Sequence, residues 1–295
     1  MSEIADILAH HSRGEITSSA LPRLTIVSSK EPTPPLPVIF SPHFCVVAKG
    51  RKRLFLGTET YHYDATSFLV TSADLPLSGQ VVEAPYLGFA LALDAGLLAT
   101  VLLEMPPGLD SKNNYHRALA KGIAVTQLEG DLLDPVLRFL RLLDQPKHIP
   151  ILAPLIEREI LYRLLLGPSG EMLRQLALPA SQLSQIRRAI SCIQTRYNEP
   201  LRIEELARLA GMSAPSFHRH FLAITRLSPL QYQKRIRLQA ARRMLLSQKT
   251  DAASVGFDVG YESPSQFSRE YRRLFGAPPS RDSTQVRRAL IAEEA

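Results

Sequence analysis

The feature that most constrains this chain is a near-duplication in its last third. Residues 203–221 and 252–271 each read as a helix, a glycine turn and a second helix, and the two turn glycines, Gly211 and Gly260, lie 49 positions apart. Glycine suits the residue that follows a helix end, because it adopts a positive φ without a steric penalty. Each copy therefore predicts a helix-turn-helix unit, the motif whose second helix enters the major groove of DNA.

The second helix of each copy combines an apolar face with an arginine on the opposite side. The apolar residues follow the i, i+4, i+7 spacing of a buried helix face; they are Phe217, Phe221 and Ile224 in the first copy and Phe267, Tyr271 and Leu274 in the second. Arg219 and Arg269 occupy matching positions away from these faces. We interpret the aromatic residues as core residues. The matched arginines favour contact with DNA over a solvated surface charge.

Two helix starts carry the pattern of a capping box, Ser228–Gln231 and Ser263–Gln266. Gln266 could serve only this box and never touch a base. The first box opens a helix that is predicted to run to about Leu246 and to hold the two units at a fixed spacing. Recognition helices about 34 Å apart would read two consecutive major grooves. The basic residues of this long helix are Lys234, Arg235, Arg237, Arg242 and Arg243.

Charge is distributed unevenly along the chain. Residues 1–177 hold 16 Lys and Arg against 18 Asp and Glu, whereas residues 178–295 hold 19 against 10. A basic half attracts a polyanion such as DNA, because binding releases counterions from the phosphates. On charge alone, a basic surface that is merely solvated remains the alternative.

The first half of the chain reads as strands and then helices. Residues 21–95 hold short runs rich in β-branched and aromatic residues, separated by turn formers at Lys49-Gly50, Leu56-Gly57 and Ser78-Gly79. Such strands predict a β-barrel or jelly roll. Amphipathic helices at 131–144 and 150–166 either pack on the barrel or pair with a second subunit, and the broad apolar face of the second favours a homodimer. The strand candidates are Phe44–Val47, Arg53–Leu56, Thr60–Tyr63 and Ser67–Thr71.

Several classes of protein are disfavoured. No run of about 18 apolar residues predicts a membrane span, and residues 1–14 lack the apolar core of a signal peptide. The two cysteines, Cys45 and Cys192, are too few for a disulfide framework, so we expect a reduced, cytoplasmic protein. No nucleophile elbow or phosphate-binding glycine loop occurs, so we predict no catalytic residue, no metal and no cofactor.

The segment Val259–Arg269 resembles the signature of the AraC/XylS family of transcriptional regulators, and the similarity extends through residues 275–279. Several N-terminal positions also resemble the N-terminal domain of AraC-type regulators; they are Cys45–Val47, Gly50, Lys52, Leu56-Gly57, Tyr61–Asp64 and Asp74–Pro76. The resemblance implies an α+β multidomain protein. It places a cupin-like β-barrel with flanking helices at residues 20–175, and an all-α domain with two helix-turn-helix units at residues 180–285.

The resemblance also implies a function and its residues. We expect a sequence-specific regulator, an activator, that binds promoter DNA and RNA polymerase and is controlled by a small-molecule effector in the barrel. The positions that match the family's DNA contacts are Pro215, His218 and Arg219 in the first unit, and Ser265, Gln266, Ser268 and Arg269 in the second.

Two positions depart from the family pattern. Arg226 stands where the first unit usually has a glycine after its recognition helix, so an arginine there has to accept strain or another cap. Gly256 stands where the second unit usually has alanine, which costs about 1 kcal/mol in a helix interior.

The barrel region offers weak effector candidates in Cys45, Tyr61 and Tyr63. Cys45 reads either as a small buried hydrophobic residue, which we favour, or as a reactive thiol. The two tyrosines could line a pocket or only pack the barrel.

Two alternatives to a specific regulator stay open. A metal enzyme tethered to DNA would need clustered histidines, and the barrel region offers only His43 and His62, with Asp64 beside the latter. A non-specific architectural protein would bind DNA with an affinity set by salt and not by sequence.

Overall fold

The computed structural model describes residues 1–106, 121–247, 251–282 and 284. Within these residues, eight strands and five of the α-helices belong to the N-terminal half, and six further α-helices follow. The strands are β1 (Ile16–Ser18), β2 (Leu24–Ser29), β3 (Leu36–Phe40), β4 (His43–Leu56), β5 (Glu59–Asp64), β6 (Ser67–Thr71), β7 (Leu75–Ala92) and β8 (Ile123–Gln127).

All strand pairs are antiparallel, and they form one sheet in the order β1-β2-β7-β4-β6-β8. β3 joins β7 and β5 joins β4 outside this path. In the described part of the chain, β1 and β8 do not pair with each other, so the sheet stays open. The predicted cupin-like domain is therefore an antiparallel sheet domain that is not closed.

Two of the predicted turns are strand interiors. Lys49-Gly50 lies inside β4 and Ser78-Gly79 lies inside β7. The β4–β7 register shifts around Gly50, whose φ is 80°, and a side chain there would come within 2.4 Å of the Glu83 carbonyl oxygen. A glycine marks a β-bulge as well as a turn, and the sequence pattern does not separate the two. The predicted turn at Leu56-Gly57 is present, between β4 and β5.

Helices cover the sheet and continue the chain. The predicted helices at 131–144 and 150–166 are present, the first ending in a short 3-10 turn; the helices of this half are α1 (Ser2–His11), α2 (Ala95–Glu104), α3 (Gly130–Arg141), α4 (Ile149–Leu166) and α5 (Gly170–Ala177). α1 is not part of the sequence prediction. It buries Ile4, Ile7 and Leu8 in the core beneath the sheet.

The C-terminal half is helical throughout the residues described. Its helices are α6 (Gln182–Thr195), α7 (Ile203–Leu209), α8 (Ala214–Thr225), α9 (Pro229–Ser247), α10 (Ala252–Asp258) and α11 (Pro264–Phe275). α7 with α8 and α10 with α11 are the two predicted helix-turn-helix units, joined by α9. Residues 279–282 begin a further helical turn. The domain boundary at 175–180 stays a prediction, and it falls where α5 ends.

The buried side chains form two cores. The larger one is continuous from Ile4 in the N-terminal domain to Ile236 in α9, and it includes the first helix-turn-helix unit. The smaller one, from Leu238 to Tyr271, belongs to the second unit. The first unit is thus packed into the N-terminal domain, whereas the second has a core of its own.

Candidate nucleic-acid interface

The turns of the two helix-turn-helix units have the same geometry. Gly211 has a φ of 65° and Gly260 a φ of 91°, and each ends the first helix of its unit. The amide of Met212 donates to the Ala207 carbonyl at 2.9 Å, and the amide of Tyr261 donates to the Gly256 carbonyl at 3.0 Å. This hydrogen bond from beyond the glycine back into the helix is the closure that a left-handed residue permits.

The starts of the recognition helices are capped by serine. Ser213 accepts a hydrogen bond from the Ser216 amide and Ser263 from the Gln266 amide, both at 3.4 Å. The predicted capping box at Ser263 is only half formed, because the Gln266 side chain donates to Glu270 instead, at 3.1 Å. The box at Ser228–Gln231 is complete, with hydrogen bonds of 3.0 and 3.3 Å.

The recognition helices turn their aromatic residues inward. Phe217, Phe221, Phe267 and Tyr271 are fully buried, as predicted. Gly256 lets the helices of the second unit approach closely, since an added methyl group would lie 3.0 Å from the Phe267 ring. This contact accounts for the departure from alanine.

The opposite faces of α8 and α11 are open to solvent. The predicted DNA-contacting side chains on them are exposed, except that of Gln266, which is half-buried; the exposed ones are Pro215, His218, Arg219, Ser265, Ser268 and Arg269. Within the described residues, neither Arg219 nor Arg269 has an ion pair or a hydrogen bond of its side chain. Two guanidinium groups at matching positions are therefore available for an anionic partner.

Most of the basic residues of α9 serve the protein interior. Lys234 pairs with Glu270 at 2.8 Å, and Arg242 pairs with Asp282 at 2.8 Å. Arg237 donates to the carbonyl oxygens of Tyr197 and Gly260. These three side chains hold helices together and are not free for DNA, whereas Arg243 on the same helix is exposed.

Two acidic groups organise the second unit. Glu270 accepts hydrogen bonds from Lys234, Gln266 and Tyr261. Burial alone would raise the pKa of Glu270, but these hydrogen bonds lower it below its usual value. Asp282 is buried and binds Arg242 through both carboxylate oxygens, at 2.8 and 3.0 Å, and it also accepts the Tyr271 hydroxyl at 2.8 Å.

Two of the three effector candidates are buried in the interior of the N-terminal domain. Cys45 and Tyr63 are buried, and their closest ionisable neighbours are Tyr86 and Lys52. Burial raises the pKa of Cys45 to about 12, so the thiol stays protonated and behaves as a small apolar group. The Lys52 ammonium lies 5.4 Å from the centre of the Tyr86 ring. Sequence reasoning did not select Lys52 or Tyr86, although Lys52 is one of the positions that resemble the family.

Tyr61 lies apart from this group. Its hydroxyl donates to Glu59 at the far end of the β4–β5 hairpin, next to Arg226. Burial, together with the Glu59 hydrogen bond, raises the pKa of Tyr61 to about 12. The structure therefore places Tyr61 at the contact with the helical half and away from Cys45 and Tyr63.

Neither barrel histidine is set up as a metal ligand. A ring nitrogen of His43 lies 2.8 Å from the Ser41 carbonyl oxygen, the distance of an N–H donor to that oxygen. Asp64 is bonded to Thr66 and not to His62. In the described ranges, the group with ligand atoms within 4.8 Å of one another is His10, His11 and Asp144, at the end of α1.

None of the helices described is both long and apolar enough to cross a membrane.

Comparison with known protein families identifies the family of this chain. The family described as AraC-type transcriptional regulator N-terminus matches residues 20–172, more than half of the chain. The chain belongs to the AraC family. A helix-turn-helix domain family matches residues 206–285, which span both units.

Individual AraC-family proteins match only part of this chain, at about 30% sequence identity. ArgR of Pseudomonas aeruginosa is 30% identical over 103 residues, covering 35% of this chain and 31% of ArgR. ExsA of the same organism is 27% identical over 135 residues, covering 46% of this chain and 48% of ExsA. Both are named HTH-type transcriptional regulators. The matches thus span less than half the length of these two relatives.

Solved structures share the whole fold. An apo variant of ToxT from Vibrio cholerae matches with a TM-score of 0.57 at 11% identity, covering 90% of this chain and 99% of ToxT. ToxT bound to a naphthalenyl butenoic acid matches with a TM-score of 0.54 at 9% identity, covering 92% and 99%. The fold of this chain, from the sheet to the second helix-turn-helix unit, is therefore also found in ToxT.

Proposed function

We propose that this protein is a sequence-specific DNA-binding regulator of transcription, in which α8 and α11 read two segments of one promoter site. The observation that carries the proposal is the matched pair Arg219 and Arg269. Both are exposed, both lack a partner among the described residues, and both stand at the centre of a recognition-helix face. Arginine reads guanine through two parallel hydrogen bonds, so this contact depends on the base sequence. A contact between arginine and a phosphate does not.

Chromatin cross-linking followed by sequencing tests this proposal in cells that express the full chain. We expect discrete peaks at promoters, and we expect the Arg219→Ala/Arg269→Ala double variant to lose them at equal expression. Even coverage of the genome by the wild-type protein would instead favour the non-specific architectural alternative.

We propose activation as the output, with RNA polymerase as the partner on the promoter and the cytoplasm as the location. Two of the relatives are named transcriptional regulators, which supports a role in transcription and gives no support to an enzyme. A reporter gene behind a bound promoter tests the sign. Activation predicts that deleting the gene for this protein lowers reporter output, and a rise on deletion would identify a repressor.

We propose that the effector binds in the N-terminal domain, beside Lys52, Tyr63 and Tyr86. Lys52 has no carboxylate partner among the described residues, and cations inside proteins are normally paired. A carboxylate-bearing effector would supply the missing charge. The ToxT structures are described as bound to an unsaturated fatty acid and to a butenoic acid, which are carboxylic acids.

A thermal-shift screen of carboxylic acids and their matching alcohols tests the effector class on the full chain. Stabilisation by an acid, but not by its alcohol, and its loss in Lys52→Met support the proposal. Lys49→Met, at an exposed position on the same strand, is the control that should respond like wild type. Equal stabilisation by acid and alcohol would rule out a role for the carboxylate.

A second copy of the chain is the proposed partner of α4. Ile151 and Leu155 stand one helical turn apart and are 70% and 60% exposed. Apolar side chains at this spacing form the seam of paired helices. Sedimentation should show a dimer that Leu155→Glu converts to a monomer. Leu178→Glu, at a similarly exposed leucine outside α4, should leave the dimer intact.

A further inference from the structure

The recognition helices end in the same backbone conformation with different residues. α11 ends at Gly276, with a φ of 82°, and α8 ends at Arg226, with a φ of 56°. Both are left-handed, and the amide of each bonds back into its helix, to Arg272 at 2.8 Å and to Leu222 at 2.9 Å. Glycine adopts this conformation freely, whereas an arginine is strained in it. Residues in strained conformations persist only where surrounding contacts hold them.

The contacts that hold Arg226 come from the N-terminal domain. Its Nε lies 3.1 Å from a carboxylate oxygen of Glu59, on β5. The turn of the β4–β5 hairpin lies against its backbone, because a side chain at Gly57 would come within 2.5 Å of the Arg226 carbonyl oxygen. Two residues earlier in α8, the Ile224 carbonyl oxygen lies against Gly122, where a side chain would come within 2.3 Å of it. The last turn of α8 is therefore fitted to the sensor domain on two sides.

The hairpin connects this contact to the interior of the sensor domain. Along the β4–β5 register, Lys52 is opposite Tyr63, Leu54 is opposite Tyr61, and Leu56 is opposite Glu59. Lys52 and Tyr63, two of the three side chains proposed for the effector, thus lie on the same two strands as the carboxylate that holds Arg226, whereas Tyr86 lies on β7. In the described sheet β5 pairs with β4 and stands outside the main strand order.

We propose that Arg226 is a positioning residue, through which the β4–β5 hairpin sets the orientation of the first recognition helix. The inference rests on the proposed function and deepens it, since it names how the sensor domain controls one of the two reading units. The contact lies at the end of α8, and Pro215, His218 and Arg219, in the first half of the helix, stay exposed. The hairpin therefore orients the helix without covering its reading face.

Base-pair discrimination by the full chain tests the proposal. The duplex is the one that the wild-type chain selects, with either of its two boxes scrambled in turn. Glu59→Arg and Arg226→Glu should each reduce discrimination at the first box about tenfold, as charge repulsion replaces an ion pair. Discrimination at the second box should change less than twofold. The Glu59→Arg/Arg226→Glu exchange should restore the first box.

Arg226→Gly separates positioning from folding. Glycine relieves the strained cap, so this variant should keep the thermal stability of wild type and still lose discrimination at the first box. The proposal is overturned if Arg226→Gly and Glu59→Arg both keep first-box discrimination, if both boxes weaken together, or if first-box affinity rises.

Hydrogen exchange gives a readout that does not depend on DNA. In Glu59→Gln, the amides of residues 222–228 should exchange about two- to fivefold faster, the factor expected for loss of a partly exposed ion pair. The matching amides of residues 272–278 should exchange as in wild type. Unchanged exchange at 222–228 overturns the proposal. A wild-type chain that discriminates neither box would contradict the proposed function. The hydrogen-exchange experiment would still test the role of Arg226.

Discussion

The two helix-turn-helix units share one backbone plan and are supported in opposite ways. The first is packed into the core of the N-terminal domain, and Tyr232, on the α9 helix that follows it, donates its hydroxyl to the Asp74 carbonyl at 2.9 Å. The second has a separate core and an internal polar network around Glu270 and Asp282. The two units therefore share the geometry of their turns, whereas their supporting contacts differ.

The difference indicates a division of labour. A unit that shares its core with a sensor domain responds to changes in that domain, because packed cores switch between discrete arrangements and do not deform smoothly. A unit with its own core and its own buried ion pair keeps its shape. We expect the second unit to supply constant affinity and the first to supply regulation.

The largest expected effect is on the second unit. Asp282→Ala leaves Arg242 and the Tyr271 hydroxyl without their shared partner, and breaking a buried pair in this way costs about 3–5 kcal/mol. Denaturant unfolding should show this loss, with second-box binding abolished at lower denaturant than first-box binding. Asp258→Ala, at an exposed acid in the same unit, is the control. A loss below about 1 kcal/mol would contradict an independently supported second unit.

Base reading should be affected next. Arg219→Ala and Arg269→Ala should each cost about 1–3 kcal/mol of discrimination at one base pair, in the first and the second box respectively. Arg243→Ala removes the same charge from an exposed position on α9 and should weaken all duplexes equally. Competition binding at fixed salt measures both effects. A uniform loss in the Arg269 variant would place that side chain on phosphate.

Substitutions at the two helix ends should differ in their effect on stability. Gly276→Ala puts a side chain into a left-handed residue and should cost about 1 kcal/mol. Arg226→Gly removes that strain and should leave the free energy of unfolding within about 0.5 kcal/mol of wild type. Chemical denaturation of the full chain measures both values. Equal losses in the two variants would mean that the first cap is not strained.

The smallest effect is a pH dependence confined to the first unit. Burial, and then the neighbouring Arg219, lowers the pKa of His220 from its usual 6.5. The folded unit therefore binds a proton less readily than the unfolded chain, so its stability is complete above pH 6.5 and falls as the pH drops below it. The equivalent residue of the second unit is Glu270, whose lowered pKa keeps that unit stable until the pH falls below 4.5.

Unfolding followed between pH 5 and 7 by hydrogen exchange in each unit would test this difference. In His220→Gln the slope of the first unit should disappear, and the second unit should show no slope in either protein. A slope of equal size in both units of the wild-type chain would contradict the assignment to His220.

The fold of the C-terminal half could be predicted because the pattern repeats. Two glycines and two matched aromatic stripes specify helix, turn and helix, and the structure confirms both units. Gly50 and Gly79 misled the prediction, since a glycine in a strand marks either a turn or a bulge. Closure of the sheet could not be predicted, because pairing between distant strands leaves no mark in either strand alone.

The supporting contacts were the least predictable part. Arg226 was recognised as an unusual cap, but its partner Glu59 is far away in sequence and lies on an unremarkable strand. Gln266 matches a capping box and a family DNA contact equally well. The sequence does not show that its side chain donates a hydrogen bond to Glu270. Lys52 stands between Arg51 and Arg53, and nothing in this run of three cations marks it as the one near Tyr86.

The central claim is that one chain reads DNA through two units held at a fixed spacing. Binding-site selection from random duplex DNA, with the full-length chain at physiological salt, tests it most directly. The account predicts a motif of two boxes whose centres lie about one helical turn, 10–10.5 base pairs, apart. Recovery of a single box, or of no motif with an affinity set by salt alone, would contradict it.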